Sequence, residues 1–249
     1  MSTRLDGRSA DALRPLRIET RVQRNPEGSV MISAGDTRIL VAASIDESVP
    51  TWMRGKGKGW LTAEYAMHPR ANPHRQDRDG RRGKVDGRTT EIQRLIGRAL
   101  RAAVDLEKLG ERQIVIDCDV LDADGGTRTA SITGGFVALA MALEHLRRVG
   151  AAAGALRTQV AAISAGMVNG TAMLDLAYVE DSKADVDLNV VATGGGALVE
   201  VQGTAEGPPV PREHFDALID LSLASMPQLM KAQRDALAAA GVDLELLGR

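Results

Sequence analysis

The stretch Asp122-Ala-Asp-Gly-Gly-Thr-Arg-Thr-Ala-Ser-Ile-Thr-Gly-Gly135 connects an apolar run at residues 113–121 to an Ala- and Leu-rich run at residues 129–149. The first run has the length and composition of a buried strand, and the second has those of a helix. The two adjacent glycines at the junction allow the backbone to approach a ligand closely. The stretch therefore predicts a strand, a glycine turn and a helix in succession.

This junction also has the chemistry of an anion site. The amides of residues 127–129 would lie at the positive end of the helix dipole, and Arg128 adds a permanent charge with a planar fork of donors. Inorganic phosphate fits such a site, whereas a plain glycine turn with a capping Thr or Ser is the alternative. The pattern Gly-x4-Gly-Lys-Ser/Thr is absent, which disfavours a nucleoside triphosphate site.

Positive charge is concentrated in one part of the chain. The formal net charge is -2, but residues 54–101 contain thirteen Lys and Arg against five Asp and Glu, so this window carries +8 and the remainder -10. Residues 70–88 have almost no apolar side chain and predict a mobile basic loop suited to the phosphate backbone of a polyanion, or else a merely solvated loop. Aromatic residues make up 2% of the chain, too few for base stacking, so recognition is expected to rest on charge.

The remaining patterns predict an α+β fold. Strands are expected at residues 17–23, 29–34, 37–46, 60–67, 159–168, 171–176, 187–192 and 197–202, and helices at residues 89–110 and 211–240. The first three strands should form an antiparallel meander. The strand at 113–121 is expected to open a second half that loosely repeats the first. Because no Pro- or Ser-rich linker interrupts the chain, residues 1–249 are expected to form a single domain of βαβ type with two halves.

A cluster of acidic residues precedes one of these strands, at Asp175, Glu180, Asp181, Asp185 and Asp187. The strand period of two would place Asp185 and Asp187 on one face, with Asp181 approaching from a turn or a short helix. Paired carboxylates beside a phosphate site favour Mg²⁺, although a solvated turn with capping residues gives a similar pattern.

The location of the protein is predicted from what the sequence lacks. Cys118 has no second cysteine to pair with, which favours a reducing compartment. The N-terminus has no apolar targeting segment, and no stretch is expected to reach the length that spans a bilayer. A cytoplasmic protein with no membrane partner is the expectation.

Longer motifs in order along nearly the whole chain resemble the bacterial ribonuclease PH family. They are Asp6-Gly-Arg8, Leu13-Arg-Pro15, Pro26-Glu-Gly-Ser-Val30, Arg54-Gly-Lys-Gly-Lys-Gly-Trp60, Thr62-Ala-Glu-Tyr65, Gly87-Arg-Thr89, Glu91-Ile-Gln-Arg-Leu-Ile-Gly-Arg98, Asp117-Cys-Asp119 and Asp124-Gly-Gly-Thr-Arg-Thr-Ala-Ser131. The resemblance implies a ribosomal protein S5 domain 2-like fold. It also implies a phosphorolytic 3′-to-5′ exoribonuclease, a tRNA nucleotidyltransferase that trims tRNA precursors and works as a homohexamer built as a trimer of dimers.

The resemblance further implies the roles of particular residues. Inorganic phosphate, the co-substrate, would be bound by Arg88, Gly126, Thr127 and Arg128. Metal binding or acid catalysis would fall to Asp181 and Asp187, with Mg²⁺ as the metal. RNA would be bound by Arg70, Arg75 and Arg78.

Two other functions remain open from the sequence. A catalytically silent RNA-binding ring subunit could share the fold, but the presence of Arg88, Arg128, Asp181 and Asp187 argues against it. A small-molecule kinase could share the core and the glycine-rich loop, and it would consume ATP without RNA.

Overall fold

The computed structural model describes residues 4–78 and 86–249, which form two β-sheets with helices packed between and against them. The strands in these residues are β1 (Leu16–Thr20), β2 (Gly28–Ala34), β3 (Thr37–Asp46), β4 (Trp60–Met67), β5 (Gln113–Asp122), β6 (Val160–Val168), β7 (Thr171–Leu174), β8 (Val186–Thr193) and β9 (Leu198–Ala205). The helices are α1 (Gly87–Arg101), α2 (Leu106–Leu109), α3 (Thr127–Arg148), α4 (Tyr178–Asp181), α5 (Arg212–Ala239) and α6 (Leu244–Leu247).

The first sheet has the strand order β1-β2-β3-β5-β4. Strands β1, β2 and β3 form the predicted antiparallel meander, and β5 pairs antiparallel with β3 and parallel with β4. Parallel neighbours need a crossover connection, and α1 lies in the one that joins β4 to β5. The prediction that β5 opens the second half is therefore wrong, because this strand completes the first sheet.

The second sheet has the order β7-β6-β8-β9, with all pairs antiparallel. Strand β6 is buried at every position because both α3 and α5 pack against it. Its alternate residues enter different cores: Val160 and Ala162 join the core around α3, whereas Ala161 and Ile163 join the core beneath α5. The period of two along one strand thus connects the two hydrophobic cores.

Helix α3 is the central element, since it contacts β2, β3 and β5 of the first sheet and β6 of the second. Contrary to the expectation from sequence, it has the length and apolar composition of a membrane span. However, 94% of its most apolar window is buried inside the protein, so it is the core helix of this fold. The sequence predicted this helix at residues 129–149. The helix begins two residues earlier, at Thr127, and ends one residue earlier, at Arg148.

Two predicted boundaries near the candidate site are wrong. The helix expected at residues 89–110 is two helices, because the Asp105 carboxylate accepts hydrogen bonds from the amides of Glu107 and Lys108 (3.0 and 3.2 Å) and caps α2 separately. The loop predicted at residues 70–88 ends earlier, since Gly87 and Arg88 are the first residues of α1. The central part of this loop, residues 79–85, lies outside the described residues. The organisation of the chain as a single domain stays a prediction.

The close packing of β2 on α3 generates a test of the fold. A Cβ atom on Gly28 would lie 2.0 Å from the carbonyl oxygen of Ala138 in α3. We expect Gly28→Ala to lower the free energy of unfolding by about 3 kcal/mol, because the sheet and the helix must separate to admit the methyl group. Urea unfolding measures this change.

The matched control is Gly207→Ala, since a Cβ there meets nothing within 4 Å and the residue does not have a positive φ. We expect this variant to unfold like the wild type. Equal stability of the two variants would contradict the described packing of β2 on α3.

Candidate active site

The turn between β5 and α3 depends on two glycines. Gly125 and Gly126 have φ values of +78° and +65°, and a Cβ on Gly125 would lie 2.4 Å from the carbonyl oxygen of Leu176. Gly126 is the N-cap residue of α3, and no side chain in the described residues caps the first turn. The first amides of α3 therefore lack the usual capping partner and remain available to an acceptor.

Arg128 is fixed beside these amides. Its Nη2 donates to Glu91 Oε2 of α1 (2.9 Å), and only 22% of its side chain is exposed. The Nε of Arg128 is buried and has no hydrogen-bond partner among the described residues. A buried donor without a partner is costly, so this guanidinium has an unmet requirement for an acceptor.

A tyrosine connects the start of α3 to the first sheet. The hydroxyl of Tyr65, on β4, donates to Thr127 Oγ1 (2.9 Å) and is buried. Burial raises the pKa of Tyr65, which therefore stays a neutral hydrogen-bond donor. This bond fixes the rotamer of Thr127, the first residue of the helix.

Two carboxylates share the site with the arginines. Asp181 ends α4 and Asp187 is the second residue of β8. Burial, followed by the negative charge of Asp181, raises the pKa of Asp187 to about 6, while Arg128 and Arg88 act in the opposite direction. Burial also raises the pKa of Asp181, against Arg88 and Arg128. The four charged groups therefore interact as one cluster.

The fold thus brings together residues that are distant in sequence. Arg88 lies at the start of α1, whereas Gly126, Thr127 and Arg128 lie at the start of α3, and the two carboxylates come from the second sheet and the short helix before it. Asp181 does approach from a short helix, one of the two arrangements predicted from sequence.

The prediction that Asp185 and Asp187 share one strand face is wrong. It is exposed and precedes β8, and its amide donates to the carbonyl oxygen of Met167 (2.7 Å). The strand starts one residue later than the spacing requires. The third nearby acidic group is Glu206, just beyond β9. Its negative charge raises the pKa of both Asp181 and Asp187.

The three arginines predicted to bind RNA lie in the segment after β4. Arg70, Arg75 and Arg78 are exposed, and Arg75 forms an ion pair with Asp77 (3.3 Å). The segment is followed by residues 79–85, outside the described residues.

Comparison with known families and proteins identifies the chain. The model of the 3′ exoribonuclease family, domain 1, matches residues 12–143, and that of domain 2 matches residues 158–225. The chain belongs to the ribonuclease PH family. The resemblance found in the sequence motifs is confirmed, as are the α+β class and the ribosomal protein S5 domain 2-like fold.

Curated family members are similar over almost the whole chain. Ribonuclease PH of Mycobacterium sp. (strain KMS) is 54% identical over 241 residues, which cover 96% of this chain and 93% of that protein. Ribonuclease PH of Mycolicibacterium gilvum (strain PYR-GCK) is 52% identical over 239 residues, with coverages of 95% and 92%.

Solved structures share the fold at lower identity. Rice (Oryza sativa) Rrp46 has a TM-score of 0.78 at 19% identity, with 94% of this chain and 100% of that chain covered. A chain of the Archaeoglobus fulgidus exosome with RNA bound to the active site has a TM-score of 0.75 at 24% identity, with coverages of 92% and 91%. At these identities the likeness shows the fold alone.

Three residues of the site were assigned no role from the sequence. Tyr65 and Arg14 lie in motifs that resemble the family, but nothing in those motifs shows that Tyr65 binds Thr127 or that Arg14 lies behind the glycine turn. Glu206 is separated from Asp187 by an entire hairpin. Only the pairing of β8 with β9 brings it near the carboxylates.

The carboxylate pair fits a hard divalent cation. Two desolvated carboxylates that raise each other's cost of ionisation gain stability from a cation between them. Within residues 4–78 and 86–249, no group of three or more His, Cys, Asp or Glu side chains is arranged to hold a metal. The remaining ligands of Mg²⁺ would therefore be water and substrate phosphate, which is its usual manner of binding.

The raised pKa of Asp187 predicts a stability change with a defined pH dependence. The pKa of Asp187 is about 6 in the folded protein but has the ordinary value of 3.8 in the unfolded chain, so wild-type stability falls as pH rises between these values. Asp187→Asn removes the charge, and at pH 7.5 it should raise the free energy of unfolding by on the order of 2 kcal/mol.

Thermal and urea unfolding in EDTA, without phosphate, at pH 4 and pH 7.5 measure the difference. We expect it to be small at pH 4 and large at pH 7.5. Asp185→Asn is the control, because Asp185 is exposed two residues away. A variant at Asp187 that is destabilised equally at both pH values would contradict the desolvation account.

Proposed function

We propose that this chain is a phosphorolytic 3′-to-5′ exoribonuclease in which the turn at the start of α3 binds inorganic phosphate. The observation that carries the proposal is the buried, unpartnered Nε of Arg128 beside the uncapped amides of α3. An anion with several oxygens satisfies both sets of donors at once. Membership of the ribonuclease PH family supports the same reaction.

The bound phosphate is the nucleophile. Arg88, Arg128 and the amides after Gly126 neutralise its charge and hold one oxygen in line with the phosphorus of the last internucleotide bond. A bond forms between that oxygen and the phosphorus, and the bond from phosphorus to the preceding 3′ oxygen breaks. The products are a nucleoside 5′-diphosphate and an RNA shortened by one nucleotide, and the reverse reaction adds a nucleotide.

Asp181 and Asp187 act at the phosphoryl group that is attacked. The ionised pair would hold Mg²⁺, whose charge offsets that of the phosphoryl oxygens. In its neutral form Asp187 can give its proton to the departing 3′ oxygen, and a pKa of about 6 makes this form accessible near neutral pH.

The RNA substrate proposed is the 3′ end of tRNA precursors, bound through the basic segment after β4. The exposed Arg70, Arg75 and Arg78 offer charge without base-stacking rings, which suits recognition of the phosphate backbone rather than of sequence. A homohexamer, a trimer of dimers, would repeat this segment around a ring and raise its effective concentration. Chains of exosomes share this fold, which supports an oligomer.

The two alternative functions are not favoured. A silent ring subunit would have no need to keep a guanidinium and two carboxylates desolvated, because such groups lower stability. A small-molecule kinase is disfavoured by the family match over both domains.

Product identity tests the function. A tRNA with a short 3′ extension is incubated with the protein and Mg²⁺, with and without inorganic phosphate. We expect nucleoside 5′-diphosphates that appear only with phosphate. Nucleoside monophosphates, or no shortening of the RNA, would refute phosphorolysis.

In the same assay, Arg128→Ala should lower the rate by about a hundredfold or more, since removal of one positioned donor costs about 3 to 4 kcal/mol in other enzymes. The control is Arg148→Ala at the opposite, exposed end of α3, expected to stay within about twofold of the wild type. An undiminished rate for Arg128→Ala would exclude its proposed role.

The basic segment is tested by salt dependence. Replacement of Arg70, Arg75 and Arg78 by Gln should weaken binding of a fluorescent RNA and lower the slope of log affinity against log salt by about 2, at roughly 0.7 per phosphate contact. The control replaces three exposed arginines of the C-terminal region, Arg212, Arg234 and Arg249. If the two variants had the same slope of log affinity against log salt, RNA would not be bound through Arg70, Arg75 and Arg78.

A further inference from the structure

A buried ion pair lies directly behind the glycine turn. Arg14 Nη2 donates to Asp175 Oδ1 (2.7 Å), and the backbone amide of Arg14 donates to the other oxygen of the same carboxylate (2.7 Å). The side chains are 4% and 6% exposed. The carboxylate therefore fixes both the backbone and the guanidinium of Arg14, which leaves little freedom for its fork of donors.

The guanidinium of Arg14 also holds the backbone of the turn. It donates to the carbonyl oxygens of Asp124 and Gly125, and the Thr37 hydroxyl donates to the same Gly125 oxygen (2.7 Å). The Thr37 oxygen in turn accepts from the amide of Asp124 (2.9 Å). The carbonyl and the amide of one trans peptide point in opposite directions. Since the Gly125 carbonyl is held toward Arg14, the amide of Gly126 must face away from it.

The same turn is tied to the helix that carries Asp181. The Asp124 carboxylate accepts from the amide of Tyr178 (3.0 Å), the first residue of α4, and lies 3.7 Å from Arg14 Nη1. One guanidinium is therefore linked to the turn at the start of α3 and, through Asp124, to α4. The groups that would bind phosphate and one of the two carboxylates share this support.

We propose that Arg14, held by Asp175, is a positioning residue that aims the backbone of the turn at inorganic phosphate and fixes α4 relative to it. The inference rests on the proposed phosphorolytic function and names a new participant in it. Arg14 itself is not assigned to the substrate, because its side chain is 4% exposed and both of its Nη atoms donate to protein oxygens, those of Asp175 and of the turn.

The geometry also explains why these residue types occur here. Lysine lacks the planar fork needed to reach a carboxylate and two carbonyl oxygens together. A side chain on Gly126 would crowd Arg14, since a Cβ would lie 3.0 Å from Arg14 Nη2, and the φ of +65° at this residue favours glycine. Asp175 has a φ of +51°, a left-handed conformation that Asp and Asn tolerate better than most residues.

The test uses a variant that removes both charges and a milder one. Arg14→Gln alone would leave the buried Asp175 carboxylate with only the more distant Arg8 as a cation (Nη1 to Oδ2, 3.9 Å), so it is combined with Asp175→Asn, which also suits the left-handed backbone. Thr37→Val removes the other support of the Gly125 carbonyl and keeps the side-chain shape. The control is Arg17→Gln, three residues further on, whose side chain is 73% exposed.

Each protein is assayed for release of nucleoside diphosphates at varied phosphate and at varied RNA. We expect the double variant to raise the KM for phosphate at least tenfold and Thr37→Val about threefold, with the KM for RNA within twofold and the control unchanged. Calorimetric titration with phosphate alone should show the same loss of affinity. A merely structural role would lower kcat through the active fraction and leave the KM for phosphate constant.

An unchanged KM for phosphate in Thr37→Val and in the double variant would overturn the proposal, and if the double variant does not fold, Thr37→Val decides alone. Failure of the underlying function is distinguishable, because the wild type would then release no nucleoside diphosphate.

Discussion

The structure depends on which groups accept hydrogen bonds from the first backbone amides of α3. This helix is buried between two sheets, so its first amides cannot all rely on bulk water as they would at a surface. No side chain caps it, and the glycines before it bring the backbone close to Leu176 instead. The helix dipole, the free amides and the unpartnered Nε of Arg128 all favour negative charge at one place. Packing around the helix and the proposed affinity for an anion thus have the same cause.

The carboxylates of Asp181 and Asp187 favour positive charge, whereas the start of α3 beside them favours negative charge. Asp181 and Asp187 are desolvated and repel each other, and the guanidiniums of Arg88 and Arg128 offset only part of that cost. A site that must handle phosphate groups needs both signs of charge held in fixed places. The raised pKa of Asp187 costs the folded protein stability at neutral pH, and the protein nonetheless keeps this acidic group beside Arg88 and Arg128. Arg14 and Asp175 supply the buried support on the opposite side of the turn.

Local patterns were sufficient for most elements of the fold. The strand, glycine turn and helix around Gly126 follow from composition and chemistry within a few residues, as does β4, whose limits match the prediction. The break between α1 and α2 was missed because an apolar helical period continues through Asp105, and only the capping bonds of its carboxylate show the interruption. The place of β5 could not be deduced either, since strand order depends on pairing across the chain. For the same reason, the sequence gives no sign that Arg14 contacts residues far along the chain. It also gives no sign that Glu206 lies near Asp187. Arg88 was assigned from the family motif, since its distance from Arg128 in sequence gives no reason to join them.

The central claim is that an orthophosphate ion occupies the start of α3. A crystal structure of the protein grown in phosphate, without RNA, tests it most directly. The account predicts a tetrahedral anion within hydrogen-bond distance of the amides after Gly126 and of Arg128 Nε, with Arg88 turned toward it. Density at this position only for water, with phosphate bound elsewhere on the protein, would contradict the account.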